Sequence, residues 1–189
     1  MPQFLRVFSA ALACAIAVSV TQTQAAPLET TSVPPAALDR LKKEFSLEEV
    51  IPLLSASATR TSSKKYLEAR ANRFKLIGTE KQGSLVIDAY SVLDEMSHII
   101  GYRLFYGGDN GPLLDAYAIV NPKEKDAVGA AAKLAAAALD SVSTPDGKKT
   151  YFLGIQNLDA ARVVRIMVRV GAQSADGPSY EIRYLVSKR

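Results

Sequence analysis

Two segments near the end of the chain decide the fold: residues 163–170 read VVRIMVRV and residues 179–187 read SYEIRYLVS. Apolar and charged residues alternate in both, a pattern typical of strands that bury one face and expose the other. The side chains predicted to face the core are Val164, Ile166, Val168, Tyr180, Ile182 and Tyr184. Those predicted to face outward are Arg165, Met167, Arg169, Glu181, Arg183 and Leu185. The two segments therefore predict an antiparallel hairpin.

The register of this hairpin follows from the same residues. Pairing Val170 with Tyr180 places Arg169 opposite Glu181, and an opposite-charge pair across two strands is worth about 0.2–1 kcal/mol. A shift by one residue would turn the arginines into the core. We therefore expect this register, with the turn centred on Ala175.

Four further segments are rich in β-branched and aromatic residues and are predicted to be strands: 85–93, 99–106, 113–120 and 150–156. The sequence GGDNGP at residues 107–112 consists of residues that favour a tight turn, and it separates two of these segments. Residues 85–100 also fit a helix that Gly101 would end, because several apolar residues recur there at helical spacing. Strand and helix both stay open for this segment.

Three regions carry apolar residues at intervals of three and four, the spacing of a helix with one buried side. Residues 36–54 predict two short helices with a bend, and residues 62–74 predict a third. The clearest pattern runs from 122 to 142, where Asn121 is a capping residue and an alanine-rich stripe would pack closely against a sheet.

The same order of elements, a helix and then three strands, occurs in residues 62–120 and again in 122–187. We therefore predict an α+β protein of two successive helix plus three-stranded antiparallel meander units, preceded by short N-terminal helices. The predicted boundaries are 1–25 for a signal peptide, 26–35 for an extended leader, 36–120 for the first unit and 121–189 for the second. The sequence leaves open whether the two units share one sheet.

Residues 1–25 have the form of a secretory signal. Arg6 is followed by an apolar run from 7 to 20, and small residues precede a cleavage point after Ala25. No later segment approaches the roughly 20 apolar residues that span a bilayer, so we expect a secreted or periplasmic protein with no stable membrane anchor. Cleavage would also remove Cys14, the only cysteine, and with it any disulfide or thiolate.

Charge and composition narrow the functional classes. The formal net charge of +4 is too small for a dedicated nucleic-acid binder. His98 is the only histidine, and its place before a strand favours an ordinary surface residue. The sequence at 109–111 is better explained as a turn than as part of a calcium loop, which needs more oxygen ligands. We therefore predict no catalytic residue, no metal site and no cofactor.

The order of elements resembles the cystatin-type fold, in the tandem arrangement of latexin-like proteins. In that family a Gln-x-Val-x-Gly hairpin and a Pro-Trp hairpin block papain-like proteases. Here residues 173–177 keep the outer Gln and Gly but have Ala175 in place of Val, and the chain has no Trp. The family's inhibitory hairpin joins the first two strands after the helix, which here corresponds to residues 157–162. The resemblance implies inhibition of secreted cysteine proteases.

The predicted function is a non-enzymatic, secreted or periplasmic protein that binds a protein partner. The candidate binding residues are Gln173, Ser174, Ala175, Asp176 and Gly177, the turn residues Asp109 and Asn110, and the outward Arg165 and Arg169. Inhibition of a cysteine protease is one alternative, with the turns at 107–111 and 173–177 expected at the same end of the sheet. A hydrolase is the other, with an acid/base pair drawn from Asp88, Asp94, Glu95 and Asp115.

Overall fold

The structure, a computed structural model, describes residues 31–55, 57–144, 147–174 and 177–189. The helices are α1 (Pro35–Glu44), α2 (Leu47–Val50), α3 (Arg60–Glu68) and α4 (Lys125–Ala136), with a 3-10 turn at Ile51–Leu54 after α2. The strands are β1 (Phe74–Gln82), β2 (Leu85–Val92), β3 (Ile99–Tyr106), β4 (Leu113–Val120), β5 (Asp140–Ser143), β6 (Lys149–Asn157), β7 (Arg162–Ser174) and β8 (Gly177–Lys188). They form one antiparallel sheet in the order β1-β2-β3-β4-β8-β7-β6-β5.

The predicted fold class of two helix plus three-stranded units is wrong. Each half of the chain contributes four strands, and the last strands of the halves, β4 and β8, pair with each other. The result is a single sheet of eight strands. Residues 85–92 are the strand β2, so the helical alternative for that segment is not adopted.

Both predicted helices that precede a meander end too late in the chain, and neither edge strand was predicted. The helix predicted at 62–74 is α3, which ends at Glu68, and β1 begins at Phe74. The helix predicted to reach 142 is α4, which ends at Ala136 and is followed by β5. An edge strand pairs with another strand on one side only, and β5 is exposed to solvent along its whole length. Without a buried face, a strand carries no alternation for the sequence to reveal.

The hairpin of β7 and β8 has the predicted register. Val170 pairs with Tyr180, and Arg169 pairs with Glu181. The Arg169 guanidinium donates a hydrogen bond to the Glu181 carboxylate at 3.2 Å. The turn predicted at Ala175 lies outside the described residues.

The sheet has one face covered by helices. Side chains from the helices join a single buried core with alternate residues of the central strands. The sheet side of this core includes Tyr102, Leu104, Ala116, Ala118, Val164, Ile166, Val168, Ile182 and Tyr184. Of the six core positions predicted in β7 and β8, only Tyr180 is partly exposed rather than buried. We call this side of the sheet the covered face.

The end of the predicted leader is docked onto the sheet. Ser32 forms a parallel bridge with Ile155, and the Val33 N–H donates to the Ile155 carbonyl at 3.1 Å. Gly154 permits this approach because it has a φ of +139°, and a Cβ there would lie 2.7 Å from the Val33 nitrogen. Residues 31–33 therefore continue the sheet edge beside β6, where the shorter β5 no longer covers it. The predicted signal peptide at 1–25 lies outside the described residues.

Candidate functional site

The second face of the sheet carries an arginine-rich cluster that the helices do not cover. Residues paired directly across two strands lie on the same face, and the pairs Arg103–Tyr117 and Tyr117–Arg183 place these side chains opposite the covered core. We call this side the open face. Its central cluster consists of Arg103, Phe105, Asp115, Tyr117, Arg165, Arg169, Glu181 and Arg183. None of these residues belongs to the core that the described helices share with the sheet.

Tyr117 lies at the middle of this cluster. The guanidinium carbons of Arg169 and Arg183 are each 5.3 Å from the centre of its ring. The Phe105 ring lies 5.4 Å from it on the neighbouring strand. A guanidinium at this distance from an aromatic ring is attracted by the π-electrons. The ring therefore helps to hold the two arginines in fixed positions on the sheet.

Two carboxylates neutralise part of the positive charge. Arg183 binds Asp115 with a closest N–O distance of 2.7 Å. Glu181 is shared by Arg169 at 3.2 Å and Arg103 at 3.9 Å. Arg103 is the most accessible of these, with 55% of its side chain exposed, compared with 22% for Arg169 and 28% for Arg183. Arg103, Arg169 and Arg183 against these two carboxylates leave an excess of one positive charge.

Burial also affects the titration of this cluster. It raises the pKa of the Asp115 carboxyl above its ordinary value, and the hydrogen bonds from Arg183 offset that rise only in part. Burial likewise raises the pKa of the Tyr117 hydroxyl, which stays protonated at neutral pH. The cluster therefore offers arginine side chains next to aromatic surface. Such groups suit the binding of carboxylates or phosphates.

The structure brings together two of the predicted binding residues. Arg165 and Arg169 are both on β7 and both on the open face, where they pair with Leu185 and Glu181 of β8. The alternation of apolar and charged residues along β7 predicts that both arginine side chains face away from the core. Arg165 and Arg169 are half-buried.

Asp109 and Asn110 are not part of this cluster. They lie in the turn between β3 and β4, where Asp109 pairs with Lys81 at 2.8 Å and Asn110 accepts a hydrogen bond from Thr61 at 2.7 Å. The turn is thereby fastened to β1 and to the start of α3. Asp109 and Asn110 therefore make contacts within the protein that hold this turn in place.

The predicted hairpin residues lie at the opposite end of the sheet from that turn. Gln173, Ser174 and Gly177 close the β7–β8 hairpin, and Ala175 and Asp176 lie outside the described residues. Since β4 and β8 are antiparallel neighbours, the turn that precedes β4 is far from the one that precedes β8. The expectation that the turns at 107–111 and 173–177 share one end is therefore wrong. The 107–111 turn shares its end with the 157–162 loop instead.

The carboxylates weighed as an acid/base pair are distributed over both faces. Asp88 pairs with Leu104 on the covered face, whereas Asp115 pairs with Phe105 on the open face. Leu104 and Phe105 are consecutive, so their side chains point to opposite sides of the sheet. Asp94 and Glu95 lie in the loop between β2 and β3. The structure therefore does not bring Asp88 and Asp115 together.

His98 lies just before β3 and packs near Phe45, with ring centres 6.1 Å apart. It is half-buried and lies away from the open-face cluster. The residues that the structure describes include no group of three or more His, Cys, Asp or Glu side chains that could hold a metal ion.

Sequence reasoning missed Arg103, Phe105 and Tyr117 as members of the site. Their strands are adjacent in sequence, but nothing in the sequence indicated that β4 would pair with β8. The order of elements repeats at an offset of about 66 residues between the two halves, and Arg103 matches Arg169 at that offset. Too few positions agree there for the match to indicate a site, although both arginines reach Glu181.

Comparisons of this chain with protein-family models, with curated proteins and with solved structures found no match. Within the described part of the chain, no helix combines the length and apolar character needed to cross a membrane.

Proposed function

We propose that this is a non-enzymatic protein of the periplasm or extracellular space that binds an acidic protein partner on the open face of its sheet. The observation that carries the proposal is that Arg169 and Arg183 lie against the Tyr117 ring, with Arg103 paired opposite Tyr117, on the face that the described helices leave uncovered. The location outside the cytoplasm rests on the sequence of residues 1–25.

The composition of the cluster supports a protein partner. Arginine and tyrosine are the residues most enriched among those that dominate binding energy at protein interfaces. Here Arg169 and Arg183 are already held by Tyr117 and by carboxylates. Binding would therefore order few additional side-chain bonds, and this lowers the entropic cost of association.

The charge of the cluster supports an acidic partner. The excess of arginine over carboxylate gives this part of the open face a positive potential, which accelerates encounters with acidic surfaces and disfavours basic ones. Arg103, the most exposed member, is the side chain best placed for a first contact. We expect binding to weaken as the salt concentration rises, since exposed charges are screened.

The test is capture of partners from the native compartment, followed by measurement of affinity for the captured protein. Arg103→Glu reverses the charge on the open face, and Lys133→Glu makes the same change at an exposed position on α4. We expect Arg103→Glu to weaken binding at least about tenfold, and Lys133→Glu to bind like the unaltered protein.

Two results would contradict the proposal. One is a captured partner that binds Arg103→Glu as well as the unaltered protein. The other is an affinity that does not fall with added salt. Inhibition of a cysteine protease stays a prediction, and assay of a papain-like enzyme with the unaltered protein tests it separately.

A further inference from the structure

A pocket of about 350 Å³ opens at one end of the open face, beside the central cluster. Its apolar lining comes from Ile155 and Val163, and its polar lining includes Asn157, Arg165, Lys188 and Arg189. In the register of β6 and β7, Ile155 lies opposite Arg165 and Asn157 lies opposite Val163. The pocket is therefore built on regular strands, with Val163 buried at its base.

Hydrogen bonds to Ala161 and Asn157 fix the position of Arg189 in the pocket. The Arg189 backbone N–H donates to the Ala161 carbonyl at 2.8 Å, and its guanidinium donates to Asn157 Oδ1 at 3.1 Å. An amide oxygen carries no formal charge, so this bond orients the guanidinium without neutralising it. Most of the guanidinium N–H donors are left for another acceptor.

The charge of the pocket differs from that of the central cluster. Lys188 and Arg189 each add a cationic side chain, and none of the described residues that line the pocket is Asp or Glu. Several cations around one concave surface raise the local concentration of anions. Ile155 and Val163 add apolar surface next to these cations, which a purely inorganic anion would not use.

We propose that this pocket binds a carboxylate attached to a short apolar group. The guanidinium and ammonium groups would receive the carboxylate, and the apolar group would lie on Ile155 and Val163. Such a group occurs in a free organic acid and at the C-terminus of a polypeptide. Ser32 of the docked leader also lines the pocket, so this segment supplies part of its wall.

The first experiment is a titration followed by amide NMR signals, with N-acetyl-leucine as the probe and the uncharged N-acetyl-leucinamide as its matched control. We expect the acid to bind at least about tenfold more tightly than the amide, the effect of charge-assisted hydrogen bonds. The Ile155 and Val163 signals should shift on binding. Inorganic phosphate should bind more weakly than the acid, because it has no group for the apolar surface.

Variants of the chain identify the pocket as the binding site. We expect Lys188→Gln and Arg189→Gln each to weaken binding of N-acetyl-leucine about three- to tenfold. Lys149→Gln is the matched control, because Lys149 is an exposed cation at the other end of β6. Equal binding of the acid and the amide would overturn the proposal. So would an equal effect of the control variant, or no saturable binding up to about 10 mM acid.

A last titration separates the two sources of the carboxylate. A short acetylated peptide ending in leucine should bind about tenfold more tightly than N-acetyl-leucine if the pocket takes polypeptide C-termini. Equal affinities would identify a free organic acid as the ligand. These titrations use small probes and the unaltered Arg103, so their outcome does not depend on the capture of an acidic partner.

Discussion

Asp88 and Asp115 each bind an arginine through more than one hydrogen bond, but the two pairs lie on opposite faces of the same sheet. Arg60, the first residue of α3, binds Asp88 at 2.7 and 2.8 Å, and Thr79 adds a bond of 2.7 Å. Arg183 binds Asp115 at 2.7 and 3.0 Å on the open face. The Asp88 side chain is fully buried, whereas 13% of the Asp115 side chain is exposed.

The difference shows how one type of contact serves two purposes. Arg60 is the first residue of α3, so its bond to Asp88 on β2 fastens that helix to the sheet. Burial alone would raise the pKa of the Asp88 carboxyl, but the bonds from Arg60 and Thr79 outweigh it and lower the pKa. For Asp115 burial outweighs Arg183, and the pKa is raised. The Arg60–Asp88 pair stabilises the charged form of Asp88. The Arg183–Asp115 pair instead holds the Arg183 guanidinium beside Tyr117.

The largest expected effect is that of Arg60→Ala. This change leaves the Asp88 carboxylate buried without its cation and should lower the free energy of unfolding by about 3–5 kcal/mol. Urea denaturation measures the loss. Removing both charges at once, in Arg60→Met with Asp88→Leu, should recover most of the stability because no buried charge is left unpaired.

A matched control for Arg60→Ala is Lys81→Ala, which removes a cation from an exposed pair with Asp109. Its unfolding free energy should stay close to that of the unaltered protein. Equal losses in the two variants would show that the Asp88 pair does not hold α3 on the sheet.

Arg183→Ala should have a smaller effect on stability, about 1–2 kcal/mol. Asp115 is partly exposed and its pKa is already raised, so it accepts a proton more readily than Asp88 when its partner is lost. The same variant should weaken partner binding, which Arg60→Ala should not do in the folded protein. If Arg183→Ala destabilises the protein as much as Arg60→Ala, the two faces do not differ in the way described.

The pH dependence of stability should separate the two carboxylates. Because the folded-state pKa of Asp88 is lowered, its contribution is present above the ordinary value of 3.8 and is lost as the pH falls further. The folded-state pKa of Asp115 is raised, so its contribution is present below 3.8 and is lost as the pH rises through the raised value. We expect Asp88→Asn to flatten the stability profile below pH 3.8 and Asp115→Asn to change it above pH 3.8.

Denaturant unfolding at a series of pH values measures these profiles. Removing Asp115 takes away a contribution that falls as pH rises, so Asp115→Asn should gain stability relative to the unaltered protein across that window. Profiles that change in the same window for both variants would contradict the opposite directions of the two pKa values.

The smallest expected effect is the coupling between Arg169 and Glu181. A double-mutant cycle with Arg169→Ala and Glu181→Ala should give about 0.2–1 kcal/mol, the range for charged pairs across two strands. Repeating the cycle with Arg103→Ala in place of Arg169→Ala should give a smaller value, because Arg103 is 3.9 Å from Glu181 rather than 3.2 Å. A larger coupling for Arg103 would reverse this ranking.

Part of the site could be predicted because its strands have a simple pattern. The alternation in β7 and β8 gave their register and the outward direction of Arg165 and Arg169. The Arg60–Asp88 pair gave no such signal, since its residues are 28 positions apart and belong to a helix and a strand. Asp88 therefore looked like a solvated strand residue, although its side chain is completely buried in the fold.

The sequence by itself determined where the central strands lie, which side chains of β7 and β8 face the core and how these two strands pair. These features follow from local alternation, because a strand with one buried face must place apolar residues at every second position. Tertiary structure alone decided that β4 and β8 join the halves into one sheet, and that β1 and β5 form its edges. Strand order depends on contacts between distant segments, and exposed edges bury too little apolar surface to leave a pattern in the sequence.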